Sequence, residues 1–421
     1  MARVSRFRWF IAGLLFLAAA LSFFDRQVLS VLAPRILDDL GIGNVEYANA
    51  VAAFTLAYSA MFTLGGRLID RLGTRAGLGL TVAIWSLASL VHAGVQNASQ
   101  LTAARFLLGI GEGGCFPGAA KGVLEWFPAR ERALAMGFAT TGGSAIGAVL
   151  APPLIVWVSA HAGWRGAFIA TGLLGSLWVA LWFLFFRQPG ESRFASPEER
   201  RYILDGQDAN ETKQRPWPWR DLLSRKQVWG LSLTRFLLDP VFYFYMFWIP
   251  QYLSQERGSS LEEIGRLAWI PFLTLGVSSL LGGAISDRLV RKGWSINRTR
   301  KTVMAAAAFL TPVSVFCLVA PDAFWAVLIM SVLMFAHGFW MTNYMTLIGD
   351  LFPASSVGTV VGLTGTAGGI GGALSGLIVG RVVEAFSFTP VFLVCGVLYP
   401  VGLALILATV PAVERLHRRA N

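Results

Sequence analysis

The chain has 421 residues, 55% of them hydrophobic and only 14% charged, with a mean hydropathy of +0.59. That is far more apolar surface than a soluble core of this size can bury, so composition excludes a soluble globular protein and places the chain in a bilayer. The formal charge of +11 does not signal nucleic acid, because the basic residues fall in alternate loops instead of one patch.

From the N-terminus, Arg3, Arg6 and Arg8 precede an apolar run to Phe24 that imitates a secretory signal, down to Ala18-Ala19-Ala20 at a cleavage-like position. The apolar character resumes after Asp25-Arg26 and continues to about Leu32, which is spanning length, so an uncleaved first span is predicted. Further runs of about 20 residues begin near residues 47, 77, 100, 133, 165, 229, 264, 302, 323, 357 and 388, giving twelve transmembrane helices in all. A polar stretch over residues 188–227 holds Pro189, Pro197, Pro216 and Pro218 and separates an N-terminal bundle, 1–187, from a C-terminal bundle, 228–421. Within it, Ser196-Pro197-Glu198-Glu199 predicts a short helix to about Asp208, with Ser196 as N-cap and proline at N1, and the segment reads as a cytoplasmic tether.

Arginine and lysine cluster at Arg71 and Arg75, Arg130 and Arg132, through the 188–227 segment, at Arg288 to Lys301 and at Arg415 to Arg419, which puts both termini in the cytoplasm by the positive-inside rule. Asp38, Asp39, Glu46, Glu256, Glu262 and Glu263 mark the opposite face. Cys115, Cys317 and Cys395 lie in apolar runs, odd in number and without ligand spacing, so neither disulfides nor a metal is expected.

The two halves repeat one design. Gly66-Arg67-Leu68-Ile69-Asp70-Arg71 returns as Gly283-Ala284-Ile285-Ser286-Asp287-Arg288, a shift of 217 positions from Asp70 to Asp287. Glu125-Trp126-Phe127-Pro128 aligns with Asp350-Leu351-Phe352-Pro353, a shift of 225 from Pro128 to Pro353, and at that shift Gly137, Thr141, Gly143, Gly147 and Ala148 fall on Gly362, Thr366, Gly368, Gly372 and Ala373. An all-α integral membrane fold of two pseudo-symmetric six-helix bundles follows, the parallel-repeat plan of carriers that rock two bundles around a midplane site.

Gly66-x-x-x-Asp70-Arg71-x-Gly73-Thr74-Arg75 resembles the loop motif of the major facilitator superfamily, departing at Thr74, where a basic residue is usual. Over nearly its whole length the chain resembles the anion:cation symporter family, through Phe24-Asp25-Arg26-Gln27, Arg105-Phe106-Leu107-Leu108-Gly109-Ile110-Gly111-Glu112, Glu125 to Arg132 and Ala151-Pro152-Pro153-Leu154. Arg235-Phe236-Leu237-Leu238-Asp239-Pro240 and Trp248-Ile249-Pro250 resemble hexuronate transporters within it. The resemblance implies secondary active import of a small organic anion, a hexuronate or related sugar acid, by proton symport and alternating access, in a bacterial-type inner membrane. An organic-anion or organophosphate exchanger of the same fold is the alternative, and a non-transporting membrane sensor a more distant one. It also implies that Arg26 holds the substrate, that Asp25 and Glu112 take protons, and that Asp70, Arg71, Asp287 and Arg288 form a gating latch.

The residues themselves point the same way. Asp25, Arg26, Arg105 and Glu112 sit inside apolar runs, where each charge costs on the order of 3 kcal/mol and marks a pathway or a paired ion. At ~1.5 Å per residue, Asp25 and Arg105 lie at matching depths of about 24 and 25 Å, so a salt bridge between them is expected. Arg26, turned about 100 degrees away, is left for the substrate carboxylate, and Glu112, two turns from Arg105, for the proton. The competing reading is a static ion network.

In the second half, Asp239 interrupts the seventh span beside Pro240; it either contacts substrate or pairs with Arg235 one turn earlier. The repeat sets His337 opposite Glu112, as a ligand or as a satisfied core histidine. Tyr58, Tyr243, Asn343 and Thr364 are further candidates for sugar hydroxyls, or else helix-packing groups. His92, His161, His337 and His417 have no metal-ligand neighbours and no phosphate-cradling loop with lysine occurs, so neither an enzyme, a metal site, a cofactor nor ATP coupling is expected. The expected partners are a small carboxylate, protons or else sodium, and lipid, for a monomer.

Overall fold

The computed structural model describes residues 6–206 and 217–416, apart from the side chains of Thr63, Asp70, Ala129, Arg130, Ala133, Ala354 and Ser355. Two compact units divide the chain: Met1–Ile42 with Ala53–Lys213, and Gly43–Ala52 with Gln214–Asn421.

The first unit begins with α1 (Phe7–Leu40), followed by α2 (Asn44–His92), α3 (Ala98–Glu112), α4 (Cys115–Trp126), α5 (Ala129–Met136), a π-helical turn over Gly137–Gly142 and α6 (Gly143–Phe185). Two long helices reverse at glycines. Gly73 (φ 77°, ψ 158°) breaks α2 and Gly163 (φ 68°, ψ 176°) breaks α6, in a backbone region that residues with a Cβ rarely enter. Each break makes two membrane passes out of one continuous helical stretch, while α3 and α4 together make another. The six predicted N-terminal spans are therefore realised as α1, the arms of α2, α3–α4 and the arms of α6.

In the second unit, α8 (Trp219–Leu223) leads into α9 (Lys226–Arg257), and α10 (Leu261–Leu267) into α11 (Ile270–Arg291). Then come α12 (Ile296–Leu310) with its 3₁₀ extension Thr311–Val319, α13 (Ala323–Leu351), α14 (Ala354–Ala385) and α15 (Thr389–Thr409). The first turns of α2 belong here, Tyr47 Oη donating to the Phe247 carbonyl at 2.5 Å. Among the described residues, eight stretches are long and apolar enough to cross a membrane, of which Leu134–Phe185 contains two passes. The segment Ala98–Trp126, with Arg105 and Glu112, and α9, with Arg235 and Asp239, fall outside that set. Ionic side chains and the break between α3 and α4 set these spans apart, while Asp25 and Arg26 lie on α1, which is within the set.

Glycine packing follows the repeat. A Cβ on Gly143 would lie 2.4 Å from the Phe16 carbonyl oxygen and one on Gly147 2.3 Å from that of Ala20, so α6 meets the backbone of α1 directly. At the repeated positions, Gly368 and Gly372 of α14 press on Asp239 and Tyr243 of α9. Small residues here let helices approach to backbone distance, as the four-residue spacing predicts. Cys115, Cys317 and Cys395 are buried and free.

The 188–227 segment is more than the expected tether. Its helix α7 (Pro197–Asp205) starts as predicted, Ser196 Oγ accepting from Glu199 N at 3.1 Å with proline at N1. The expected end near Asp208 lies outside the described residues. Glu199, fully buried, accepts from the backbone amides of Phe7 and Arg8 at 3.2 and 3.1 Å and from Arg8 Nη1 at 3.0 Å. Arg8 Nε also reaches Glu131 at 2.9 Å, and Tyr202 Oη donates to the same carboxylate. A helix start leaves four amides without intrahelical acceptors and carries partial positive charge, so the Glu199 carboxylate caps α1 from outside it. The contacts that cluster Ala53–Lys213 with α1 therefore take the front of the presumed linker into the first unit.

Glu199→Ala leaves Arg8 and two amides without this acceptor and is expected to destabilise the first unit by about 3 kcal/mol, read as a lowered thermal midpoint in detergent. Gly147→Ala is expected to cost about 1–3 kcal/mol in the same measurement, because a backbone carbonyl and not a flexible side chain must give way.

Candidate functional site

In the first unit the four buried charges come together, with different partners from those their depths suggested. Arg26 Nε donates to Glu112 Oε2 at 2.6 Å, both side chains being almost completely buried. Ser22, one turn before Arg26, donates to the same Glu112 oxygen at 3.0 Å and accepts from Arg26 Nη2 at 3.2 Å. The guanidinium lies 4.3 Å from the centroid of the Tyr58 ring and 4.8 Å from that of Phe23, so aromatic faces as well as a carboxylate hold it.

Asp25 takes its hydrogen bond from Ser89 Oγ at 2.8 Å, and Arg105 donates to the backbone carbonyl of Arg26 at 3.3 Å. These contacts replace the expected Asp25–Arg105 bridge, the two charges acting on each other through space. Axial depth fixes only height. The 100° step between consecutive residues turns Asp25 toward Ser89 on α2 and Arg26 toward Glu112 on α3, so Arg26 is engaged by a carboxylate and not left over. Ser22 and Ser89 were missed from the sequence; the four-residue spacing of Ser22 and Arg26 on α1 was the available signal for the first.

In the second unit, the Arg235 reading of Asp239 holds. Arg235 Nε lies 2.8 Å from both Asp239 oxygens and Nη2 2.6 Å from Oδ2, a forked pair along one helix turn. His337 is buried, its Nδ1 bonded to Tyr399 Oη and its ring stacked on Phe242 at 5.0 Å. Tyr243 stacks on Phe247 at 6.2 Å. Asn343 Nδ2 donates to the Phe339 carbonyl at 3.0 Å while its buried Oδ1 has no hydrogen-bond partner among the described residues. Thr364 Oγ1 donates to the Val361 carbonyl at 3.1 Å. Tyr344 and Tyr399, not singled out in the sequence, complete this polar cluster.

The repeated loop motifs sit at helix ends. The side chain of Asp70 lies outside the described residues, and Arg71, Asp287 and Arg288 are exposed. Thr74, the departure from the usual basic residue, is buried and donates to Glu125 Oε1 at 2.7 Å. Its counterpart interaction in the second unit is ionic, Arg300 Nε to Asp350 Oδ2 at 2.9 Å. The repeated acids Glu125 and Asp350 are thus held by a hydroxyl in one unit and by a guanidinium in the other.

Two bundles of one repeated design, each with buried charges on its spans, define a membrane transporter. The family model described as the Major Facilitator Superfamily matches residues 15–376 and 293–421, and the chain belongs to that superfamily. It is 31% identical to the hexuronate transporter of Escherichia coli (strain K12), over all of this chain and 99% of that protein. To the galacturonate transporter of Dickeya chrysanthemi it is 33% identical, over 74% of this chain and 90% of that one. A probable galactarate/D-glucarate transporter of Bacillus subtilis is 31% identical, over 90% and 86%. Among solved structures, a bacterial homolog of the human lysosomal transporter Spinster, inward-facing and occupied, superposes with a TM-score of 0.72 over 97% of this chain and 95% of that one, at 19% identity, which speaks to the fold.

Removing one partner of a buried pair leaves the other charge uncompensated. Arg26→Gln is therefore expected to cost about 3–5 kcal/mol, and adding Glu112→Gln to recover part of that loss. Thermal unfolding of the two single variants and the double variant checks it; additive losses would contradict the pair.

Proposed function

We propose that this protein carries a hexuronate or related sugar acid inward across a bacterial inner membrane, as a monomer with both termini in the cytoplasm, coupled to protons by alternating access. The observation that carries the reading is the buried Arg26–Glu112 contact. A guanidinium offers a carboxylate two parallel donors, and an ionised Glu112 competes with the substrate for them. A proton on Glu112 withdraws that competition, so proton and substrate anion bind together, and the coupling acts equally in both directions. Tyr58 and Ser22 keep the guanidinium in place during the exchange.

Asp25, hydrogen-bonded to Ser89, is the second proton site, with Arg105 the nearby compensating charge. One proton per monoanion is electroneutral; two carry net positive charge inward, each worth about 2.3 kcal/mol per 100 mV. On the second unit, Asn343 Oδ1, Thr364, Tyr243 and His337 are the groups suited to sugar hydroxyls. Asp70, Arg71, Asp287 and Arg288 serve gating at the cytoplasmic ends. The names of the relatives, hexuronate, galacturonate and galactarate/D-glucarate transporters, support the substrate class.

In proteoliposomes, Glu112→Gln is expected to keep galacturonate counterflow while losing accumulation driven by a pH gradient. Galacturonate-dependent proton uptake persisting in that variant would remove Glu112 from the coupling, and accumulation driven by sodium alone would replace the proton.

A further inference from the structure

Phe54 of α2 is buried, and its ring carries two cations of the first unit, the Arg26 guanidinium at 5.7 Å and the Arg105 guanidinium at 5.6 Å from its centroid. The face of an aromatic ring is negative and attracts a cation over such distances. Tyr58, one turn on, stacks on Phe54 at 5.8 Å and has its own centroid 4.3 Å from Arg26. Arg105 also donates to the Arg26 carbonyl at 3.3 Å, so Phe54 sits where the two guanidinium groups of the cluster are drawn together.

The seat of that ring is built into α3. A Cβ on Gly109 would fall 2.4 Å from the Phe54 carbonyl oxygen and 3.0 Å from Tyr58 N, so α3 meets the α2 backbone directly. Gly109 stands between Arg105 and Glu112 on α3, and both rings are thus set against that helix between its own two charges. Around Arg26 stand Glu112, Tyr58 and the Cys115 thiol; around Arg105 stand Asp25 and His92.

Resting on the coupling proposed above, we infer that Phe54 is a positioning residue for the exchange at Arg26: its ring meets the guanidinium charge while Glu112 is protonated and no other carboxylate has arrived. Before and after the exchange a carboxylate does so. In between, a buried guanidinium with nothing to meet it is costly. A proton removes the charge of a carboxylate but leaves the face of a ring as it was, so Phe54 supports Arg26 through the step in which Glu112 lets go.

Placing 3,4,5-trifluorophenylalanine at Phe54 keeps the shape of the ring and drains its negative face. Thermal midpoints in detergent are compared in the wild type and in Glu112→Gln, which stands for the protonated acid. Fluorination is expected to lower the midpoint about twice as far in Glu112→Gln as in the wild type, because the ring then carries more of the Arg26 charge. Equal losses overturn the inference and make Phe54 a packing residue only. If Glu112→Gln does not fold, Arg26→Gln takes its place: fluorination is then expected to cost less than in the wild type, and an equal cost overturns the inference. In proteoliposomes, the same replacement in the wild type is expected to lower the maximal rate of galacturonate counterflow about tenfold, with the half-saturating concentration unchanged. An unchanged rate overturns the inference, as does a change confined to half-saturation. No galacturonate counterflow by the wild type sinks the sugar-acid reading instead, and the thermal comparison then decides the role of Phe54.

Discussion

A charge in hydrocarbon must be met by an opposite charge or by dipoles, and the buried ionic clusters of this protein answer to that requirement. Arg26 has Glu112, Ser22 and an aromatic face; Asp25 has a serine hydroxyl and the field of Arg105; Arg235 has Asp239. Each of these partners lies in the same unit as the charge it meets. A compensated charge is also a conditional one, because whatever neutralises one member changes what the other can hold. Ion pairs in a soluble core often stabilise no better than a well-packed apolar replacement, whereas under the function proposed above the Arg26–Glu112 pair would link two ligands.

The internal repeat conserves scaffold more strictly than chemistry. Gly143 and Gly147 press on the first helix of one bundle as Gly368 and Gly372 press on the first helix of the other. Within that common frame the acid Glu112 becomes His337 and the hydroxyl Ser22 becomes the acid Asp239. Backbone approach depends on the absence of a Cβ and tolerates little change, while a side chain that projects from a fixed helix can be exchanged for another of similar reach. The two halves thus carry different functional groups at corresponding positions of the repeat.

Much of this was legible in the sequence, for identifiable reasons. Span positions follow from apolar run length, the repeat from matching loop motifs, and the start of α7 from Ser196-Pro197. The Arg235–Asp239 pair was one of two readings because both members share a helix, where spacing fixes neighbours. What failed to show was contact between helices. Equal depth suggested Asp25 with Arg105, but depth says nothing of rotation, and the one-residue step that separates Asp25 from Arg26 decides which neighbouring helix each one meets. Glu199 was unreadable for the same reason: no local pattern marks a carboxylate whose partners lie 191 and 192 residues away.

That long separation also orders events during synthesis. The first helix is made and threaded toward the bilayer long before the residue that caps it exists, so its leading amides rely on water while the next five passes are being laid down. Only when α7 leaves the ribosome can the Glu199 carboxylate close over Phe7 and Arg8. The first bundle is therefore sealed by its last-made element, and the polar segment after the sixth pass acts as the closing stitch of the half that precedes it.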